Sequence, residues 1–197
     1  MALPLVSGTS ISIIKEQLYS PLLWSFMWRN AMHGKDEALR LIYSFVENLP
    51  IAVPSDEIRA GVETAVIETI ALTKEQRALS KEMLDWLHVE FGIEKPGQKL
   101  ESFAALSGDE FMKEVKSRRP RSASRLTPAE VRLLKTTHEK YGRDVRQLET
   151  TINQLETKLS DLVNQAYGLT NEEIAWLWKT APPRMPIDPP ANHRKTS

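Results

Sequence analysis

The chain has no cysteine among its 197 residues, and its four histidines lie far apart. Disulfides, thiol nucleophiles and zinc sites built from thiolates are therefore excluded. The 26 basic side chains balance the 26 acidic ones, so any attraction to nucleic acid or to a membrane surface has to be local. No apolar run approaches the roughly 20 residues that cross a bilayer. We expect a cytoplasmic protein without membrane contact.

Short enzyme motifs are also missing. The chain contains no GxxxxGK[ST], GxGxxG, GxSxG or HExxH pattern. The triplet Glu114-Val115-Lys116 matches the ExK letters of one nuclease class, but it lies in a helical pattern rather than on a strand. We predict no catalytic residue and no metal ligand, and no cofactor for this chain.

The first 53 residues read as mostly helical. Residues 11–30 are apolar, with Trp24 and Trp28 at helical spacing and a helix bent or begun at Pro21. A second helix follows, and Pro50 then begins an extended connector. The predicted apolar face of that second helix consists of Ala38, Leu41, Ile42 and Phe45.

A long helix is predicted next. Ser55 is its cap, Asp56 and Glu57 occupy its first turn, and Gly92 ends it. Its apolar side is Ile58, Val62, Val66, Ile70, Leu79, Met83, Trp86 and Leu87. A connector with one short helix follows, signalled by the capping box from Ser107 to Glu110.

The strongest pattern begins at Thr127, where Thr127 and Glu130 form a capping box around Pro128. Apolar residues then recur at alternating spacings of three and four, which predicts a coiled-coil helix. The predicted seam is Val131, Leu134, Val145, Leu148, Ile152, Leu155, Leu159 and Leu162, with His138, Tyr141 and Ala166 in the same register.

Two long helices of similar length predict an antiparallel hairpin. Each would span about 36 residues, or roughly 54 Å at 1.5 Å per residue. The alternative is a parallel homodimer through the second helix, in which Glu130 would face Lys135 favourably and Asp144 would face Glu149 unfavourably. The hairpin is favoured. The predicted fold is mainly α, with short flanking helices.

The end of the chain reads as a second capped helix and a tail. Gly168 ends the long helix, and Thr170 with Glu173 caps a short one. That helix is expected to carry Ile174, Trp176 and Leu177 onto the hairpin. We divide the chain into residues 1–53, a hairpin with its capping helix over 54–181, and an extended proline-rich tail over 182–197.

Six cations lie close together between the two long helices, with only Glu114 among them as a carboxylate. Such a cluster is typical of phosphate binding, and six phosphate contacts would give a salt slope near −5. The alternative is a solvated connector. Trp24, Phe26 and Trp28 have the chemistry to stack on bases, but their apolar surroundings favour core packing. The candidate phosphate-binding residues are Lys113, Lys116, Arg118, Arg119, Arg121 and Arg125.

Ordered segments of the chain resemble a known family. They are YSPLLWSFMWR, KDEALR, LPIAVP, LDWLHVEFGIEKPGQKLESFAAL, RRP, RLTPAE, LSDLVNQAYGLTNEEI and WKTAPPRMP. Together they resemble the C-terminal region of bacterial type IIG-like restriction-modification proteins, which are adenine-N6 DNA methyltransferases used in phage defence. A type I-like specificity subunit is the nearest variant, because its joints also use antiparallel helical spacers.

The resemblance implies the end of a target-recognition region over residues 1–53, followed by a helical segment that docks it against a catalytic domain. The implied partners are double-stranded DNA and a methyltransferase catalytic domain or subunit. S-adenosylmethionine is the implied cofactor of that catalytic part. A coiled-coil protein-interaction module without DNA contact is the alternative function.

Overall fold

The computed structural model describes residues 11–35, 39–40, 42–120, 122–182 and 185. Within them the fold is mainly α, as the sequence predicts. The helices are α1 (Ile11–Leu18), α2 (Pro21–Asn30), α3 (Tyr43–Val46), α4 (Asp56–Phe91), α5 (Gly97–Glu101), α6 (Gly108–Arg118), α7 (Pro128–Ala166) and α8 (Asn171–Lys179). A 3-10 turn covers Phe103–Ala105, and two short antiparallel strands, β1 (Met32–His33) and β2 (Leu39–Arg40), pair with each other.

The chain forms two compact units. Of the described residues, those up to Glu68 and those from Leu155 onward form the first unit, and those between Thr69 and Gln154 form the second. Both long helices contribute to each unit, so α4 and α7 are described separately in the two.

Helices α4 and α7 run antiparallel in the second unit and are also in contact in the first. In the second unit the Tyr141 hydroxyl donates to Glu82 at 2.5 Å, and Gln76 donates to Glu149 at 3.1 Å. In the first unit Gly61 lies against Leu162. In the second unit the residue further along α4 therefore has the partner that lies earlier along α7, which confirms the antiparallel packing of the hairpin.

The predicted seam of α7 is buried or half-buried along its whole length. The same chain covers it, through α4, as the intrachain hairpin requires. On α4 the prediction is wrong at Ile70, which is 50% exposed. In a long straight helix the row of apolar positions gradually rotates around the helix axis, because the helical period of 3.6 residues does not match a strict repeat. A position on the edge of the apolar stripe can therefore face solvent.

The predicted ends of the long helices are confirmed. Ser55 accepts a hydrogen bond from the Ile58 amide, and Gly92 ends α4 with a φ of 66°. Thr127 and Glu130 form their capping box, with the Thr127 amide donating to the Glu130 carboxylate at 2.6 Å. These local signals fix the bounds because each one supplies partners for backbone groups that the helix leaves unpaired.

The segment joining α4 to α7 builds the core of the second unit. The sequence predicts one short helix there, but the structure has α5, a 3-10 turn and α6. The apolar side chains of this segment fill the space beside the hairpin, and for that reason it folds back instead of crossing solvent. The core residues are Met83, Leu87, Phe91, Ile93, Leu100, Phe103, Ala104, Phe111, Met112, Val115, Leu134 and Val145.

The first unit begins with two helices rather than one. Ser20 caps α2 by accepting from the Leu23 amide, and Pro21 occupies the first helical position, as predicted for a helix begun there. The second predicted helix is wrong: Leu39 lies in β2, and a helix of only four residues starts at Tyr43. Ala38 and Leu41, part of its predicted face, lie outside the described residues.

Helix α8 has the predicted capping box at Thr170 and Glu173, and Gly168 before it has a φ of 65°. Its inward residues are Leu177 and Trp178. The expectation that Trp176 packs inward is wrong, because its side chain is 54% exposed beneath the Arg29 guanidinium of α2. Of the predicted tail only Pro182 and Met185 are described. Across the described residues, no helix has the length and apolarity to cross a bilayer.

Candidate phosphate-binding surface

Helix α6 is fixed to the second unit by one face. Phe111, Met112 and Val115 are buried in the core, while Ser107 and Glu110 close a capping box at the helix start. A helix anchored in this way presents its remaining positions in a defined direction. Its polar face is therefore a rigid part of the surface.

Two candidate cations lie on that exposed face. Lys113 and Lys116 are three residues apart, so their side chains project from neighbouring turns of α6. Neither forms an ion pair within the described part of the chain. Both ammonium groups are thus available to an external anion.

Arg118 lies at the end of α6, against the start of α5. Its guanidinium occupies the place of a Gly97 side chain, 2.8 Å from where a Cβ would stand. Gly97 has a φ of 69°, a left-handed conformation that also favours glycine. The guanidinium also faces Glu114, with Nε 3.9 Å from the carboxylate.

Glu114 joins this arginine to a lysine of α5. The Lys99 ammonium lies 2.8 Å from the Glu114 carboxylate. The pKa of Glu114 is held below its usual value, first by the hydrogen bond from Lys99 and further by the charges of Lys99, Arg118 and Lys113. Its triplet with Val115 and Lys116 lies within α6, as predicted, so the ExK letters are helical.

The remaining three candidates differ in position. Arg119 is half-buried, with its guanidinium 5.9 Å from the centre of the Phe91 ring, and it donates to the Ser124 carbonyl at 3.0 Å. It therefore ties the segment after α6 to the core. Arg125 is exposed, and Arg121 lies outside the described residues.

The sequence does not predict that Lys99 and Gly97 contribute to this surface. Lys99 is 14 residues from the first predicted cation, and only the packing of α5 on α6 brings it close. A sequence signal existed in the Pro96-Gly97 pair, which is typical of a tight turn. That signal predicts a turn but does not predict which side chain would lie over the glycine.

The predicted aromatic positions pack within the first unit. Trp24, Phe26 and Trp28 are all half-buried. The Trp24 and Trp28 rings lie 6.4 Å apart, and Phe26 stacks on Phe45 at 6.1 Å. This arrangement agrees with the core packing that their surroundings favoured.

His138 takes a core position rather than a ligand position. It is buried, stacks on Phe111 with ring centres 4.3 Å apart, and its Nε2 lies 3.0 Å from the Phe103 carbonyl. Because a carbonyl oxygen only accepts, Nε2 carries the proton in this hydrogen bond. Among the described residues no group of three acidic or histidine side chains has the geometry of a metal site.

An open groove of about 480 Å³ also lies in the second unit, between α4 and residues 101–105. Its charged lining residues have both signs, and Lys81 pairs with Asp85 at 2.9 Å. The lining has two basic and three acidic side chains and so does not favour an anion, which makes the cation face of α6 the better candidate for phosphate.

Comparison with known proteins gives one match. Residues 55–163 match the family described as Domain of unknown function (DUF8810). The matched residues make up more than half of the chain, which therefore belongs to this family. No curated protein and no solved structure matches the chain.

Proposed function

For this DUF8810 chain we propose the role of a non-catalytic DNA-recognition and docking portion of a restriction-modification adenine-N6 DNA methyltransferase, acting in phage defence in the bacterial cytoplasm. The observation that carries the proposal is the exposed pair Lys113 and Lys116 on a helix whose other face is buried. Phosphate contacts from a rigid element set the register of a protein on a duplex.

The hairpin has a mechanical role in this proposal. Adenine methylation requires the target base to leave the duplex and enter a pocket, which demands accurate placement of the DNA. In this proposal the pair of long helices is the spacer between the recognition region and the catalytic domain. The catalytic domain or subunit and its S-adenosylmethionine would be supplied by another part of the enzyme.

Fluorescence anisotropy with a labelled duplex tests the proposal. The test variant replaces Lys113, Lys116 and Arg125 with glutamine, and a matched control makes the same change at Lys74, Arg132 and Lys158, which are also exposed. We expect the test variant to reduce the salt slope by about three, since each phosphate contact contributes about 0.9. The control should leave the slope unchanged. Equal effects of the two variants would contradict phosphate binding at α6.

A protein-interaction module is the second candidate. Val89 of α4 and Leu133 of α7 are large apolar side chains that remain exposed in the second unit. Exposed apolar side chains mark a protein-binding surface where they lie in one contiguous patch. This candidate predicts that the chain binds no duplex at low salt and that replacing both residues with serine abolishes association with a partner.

A further inference from the structure

We propose that Lys99 is a further phosphate-binding residue and that Glu114 is the positioning residue that sets the outward direction of Lys99 and Arg118. This inference rests on the proposed DNA contact and deepens it. It assigns the phosphate-binding surface to two helices, α5 and α6, instead of one linear cluster.

The first support is the arrangement of charges around one carboxylate. Lys99 lies 2.8 Å from Glu114 and Arg118 lies 3.9 Å from it, while Lys113 follows Glu110 and precedes Glu114 on the same helix. The charges of Lys99 and Lys113 also act on the Glu110 carboxylate, so these three cations face two carboxylates and leave a local excess of one positive charge. The surface is therefore attractive to an anion even with its internal ion pairs formed.

The second support is the difference in exposure. The Glu114 side chain is only 13% exposed, whereas Arg118 is 40% and Lys99 is 68% exposed. The carboxylate thus lies beneath its cations. A phosphate approaching from solvent meets the ammonium and guanidinium groups before it meets the negative charge.

The third support is the contact between Arg118 and Gly97. The guanidinium packs where any side chain at position 97 would stand, and the positive φ of Gly97 makes such a side chain strained in any case. One edge of the Arg118 guanidinium lies on the backbone at Gly97, and its Nε faces Glu114. Because the side chain is already held in this way, it loses less conformational freedom when it binds a phosphate. Preorganised donors of this kind increase affinity by reducing the entropy lost on binding.

The experiment measures anisotropy of a fluorescein-labelled duplex of mixed sequence with the full chain over a salt series. We expect Lys99→Met to reduce the salt slope by about one, the value for one phosphate contact. Lys74→Met, an exposed lysine on α4, is the matched control and should leave the slope unchanged. An unchanged slope for Lys99→Met would overturn the assignment of Lys99.

The Glu114→Gln variant distinguishes the positioning role of Glu114 from the effect of its negative charge on DNA binding. Removal of a negative charge alone should strengthen binding to DNA, and Glu101→Gln, an exposed carboxylate of α5 without an ion pair in the described chain, is expected to show that small gain. If Glu114 positions its two cations, Glu114→Gln binds the duplex several-fold more weakly in spite of its added net charge. Equal strengthening by both variants would overturn the positioning role.

These measurements distinguish failure of the proposed function from failure of the roles assigned to Lys99 and Glu114. If the unaltered chain does not bind the duplex, the proposed function itself fails. If it binds, and the variant of Lys113, Lys116 and Arg125 loses slope while Lys99→Met and Glu114→Gln resemble their controls, only the present inference fails. Far-UV circular dichroism of each variant verifies that the helices are intact.

Discussion

The two compact units are stabilised by different kinds of interior. The second unit packs one cluster of twelve buried residues, all apolar and including Phe91, Phe103 and Phe111. The first unit holds four of the five buried polar side chains found among the described residues. The stability of an apolar interior depends little on any one hydrogen bond. In a polar interior, loss of one partner leaves a buried polar group unpaired and lowers stability.

The polar interior of the first unit centres on Gln17, which is 1% exposed. Its amide nitrogen donates to the Ala52 carbonyl at 3.0 Å, and its oxygen accepts from the Ala52 amide at 2.8 Å and from the Tyr167 hydroxyl at 2.8 Å. Tyr167 also approaches the Pro50 carbonyl at 2.9 Å. One side chain thus connects α1, the proline connector and the end of α7.

The largest expected effect is in the second unit. Phe111→Ala removes a fully buried ring stacked on His138, and we expect a loss of about 3–5 kcal/mol in the free energy of unfolding. Urea titration monitored by far-UV circular dichroism measures it. Leu133→Ala, at an exposed site, should change the value by less than about 0.5 kcal/mol. Similar values for the two variants would contradict the described core.

Gln17→Leu tests the first unit. The substitution keeps the volume but leaves the Ala52 amide and carbonyl without their partner, which costs about 1–3 kcal/mol. The same urea titration applies. A variant as stable as the original chain would show that the polar interior does not depend on this side chain.

The pH dependence of the first unit provides a third test. Burial raises the pKa of Tyr167 from 10.0 to about 12. The raised pKa means that the folded state favours the neutral phenol, so its contribution is complete below pH 10 and is lost as the pH rises towards 12. Urea midpoints across this range should fall with pH.

Tyr167→Phe should reduce the decrease of the urea midpoint with pH, because the substitution removes the phenol hydroxyl that titrates. Tyr141→Phe is the matched change in the second unit, where the hydrogen bond with Glu82 raises the pKa of Tyr141. A curve for Tyr167→Phe that runs parallel to the original would show that another group controls the alkaline transition.

The smallest expected effect concerns the helix caps. Thr127→Ala removes the cap of α7 in the second unit, and Thr170→Ala removes the corresponding cap of α8 in the first. Each should cost about 1 kcal/mol. Comparable losses would show that the caps, unlike the interiors, act alike in both units, and a difference of several-fold would contradict this.

Much of the fold could be predicted because the signals are local. Each of these signals acts within one or two helical turns. They are the apolar spacing along α7, the capping boxes at Ser107, Thr127 and Thr170, and the helix-ending Gly92 and Gly168. The packing of α5 and α6 could not be predicted from period alone, because short apolar segments fit several positions. The same holds for Gln17, whose partners lie 35 and 150 residues away.

The candidate site could likewise be predicted from the sequence only in part. The clustering of basic residues in the sequence predicts the cations of residues 113–125, and those that the structure describes lie on α6 or in the segment after it. It could not predict that Arg119 turns inward onto Phe91 or that Arg118 lies on Gly97. These orientations depend on contacts between segments that are distant in sequence.

The central claim is that the cation face of the second unit contacts DNA phosphates. The most direct test is the dependence of duplex affinity on salt for the unaltered chain between about 50 and about 200 mM. The account predicts a plot of log affinity against log salt with a slope near −5. A slope near zero, or no binding at the lower salt concentration, would contradict it.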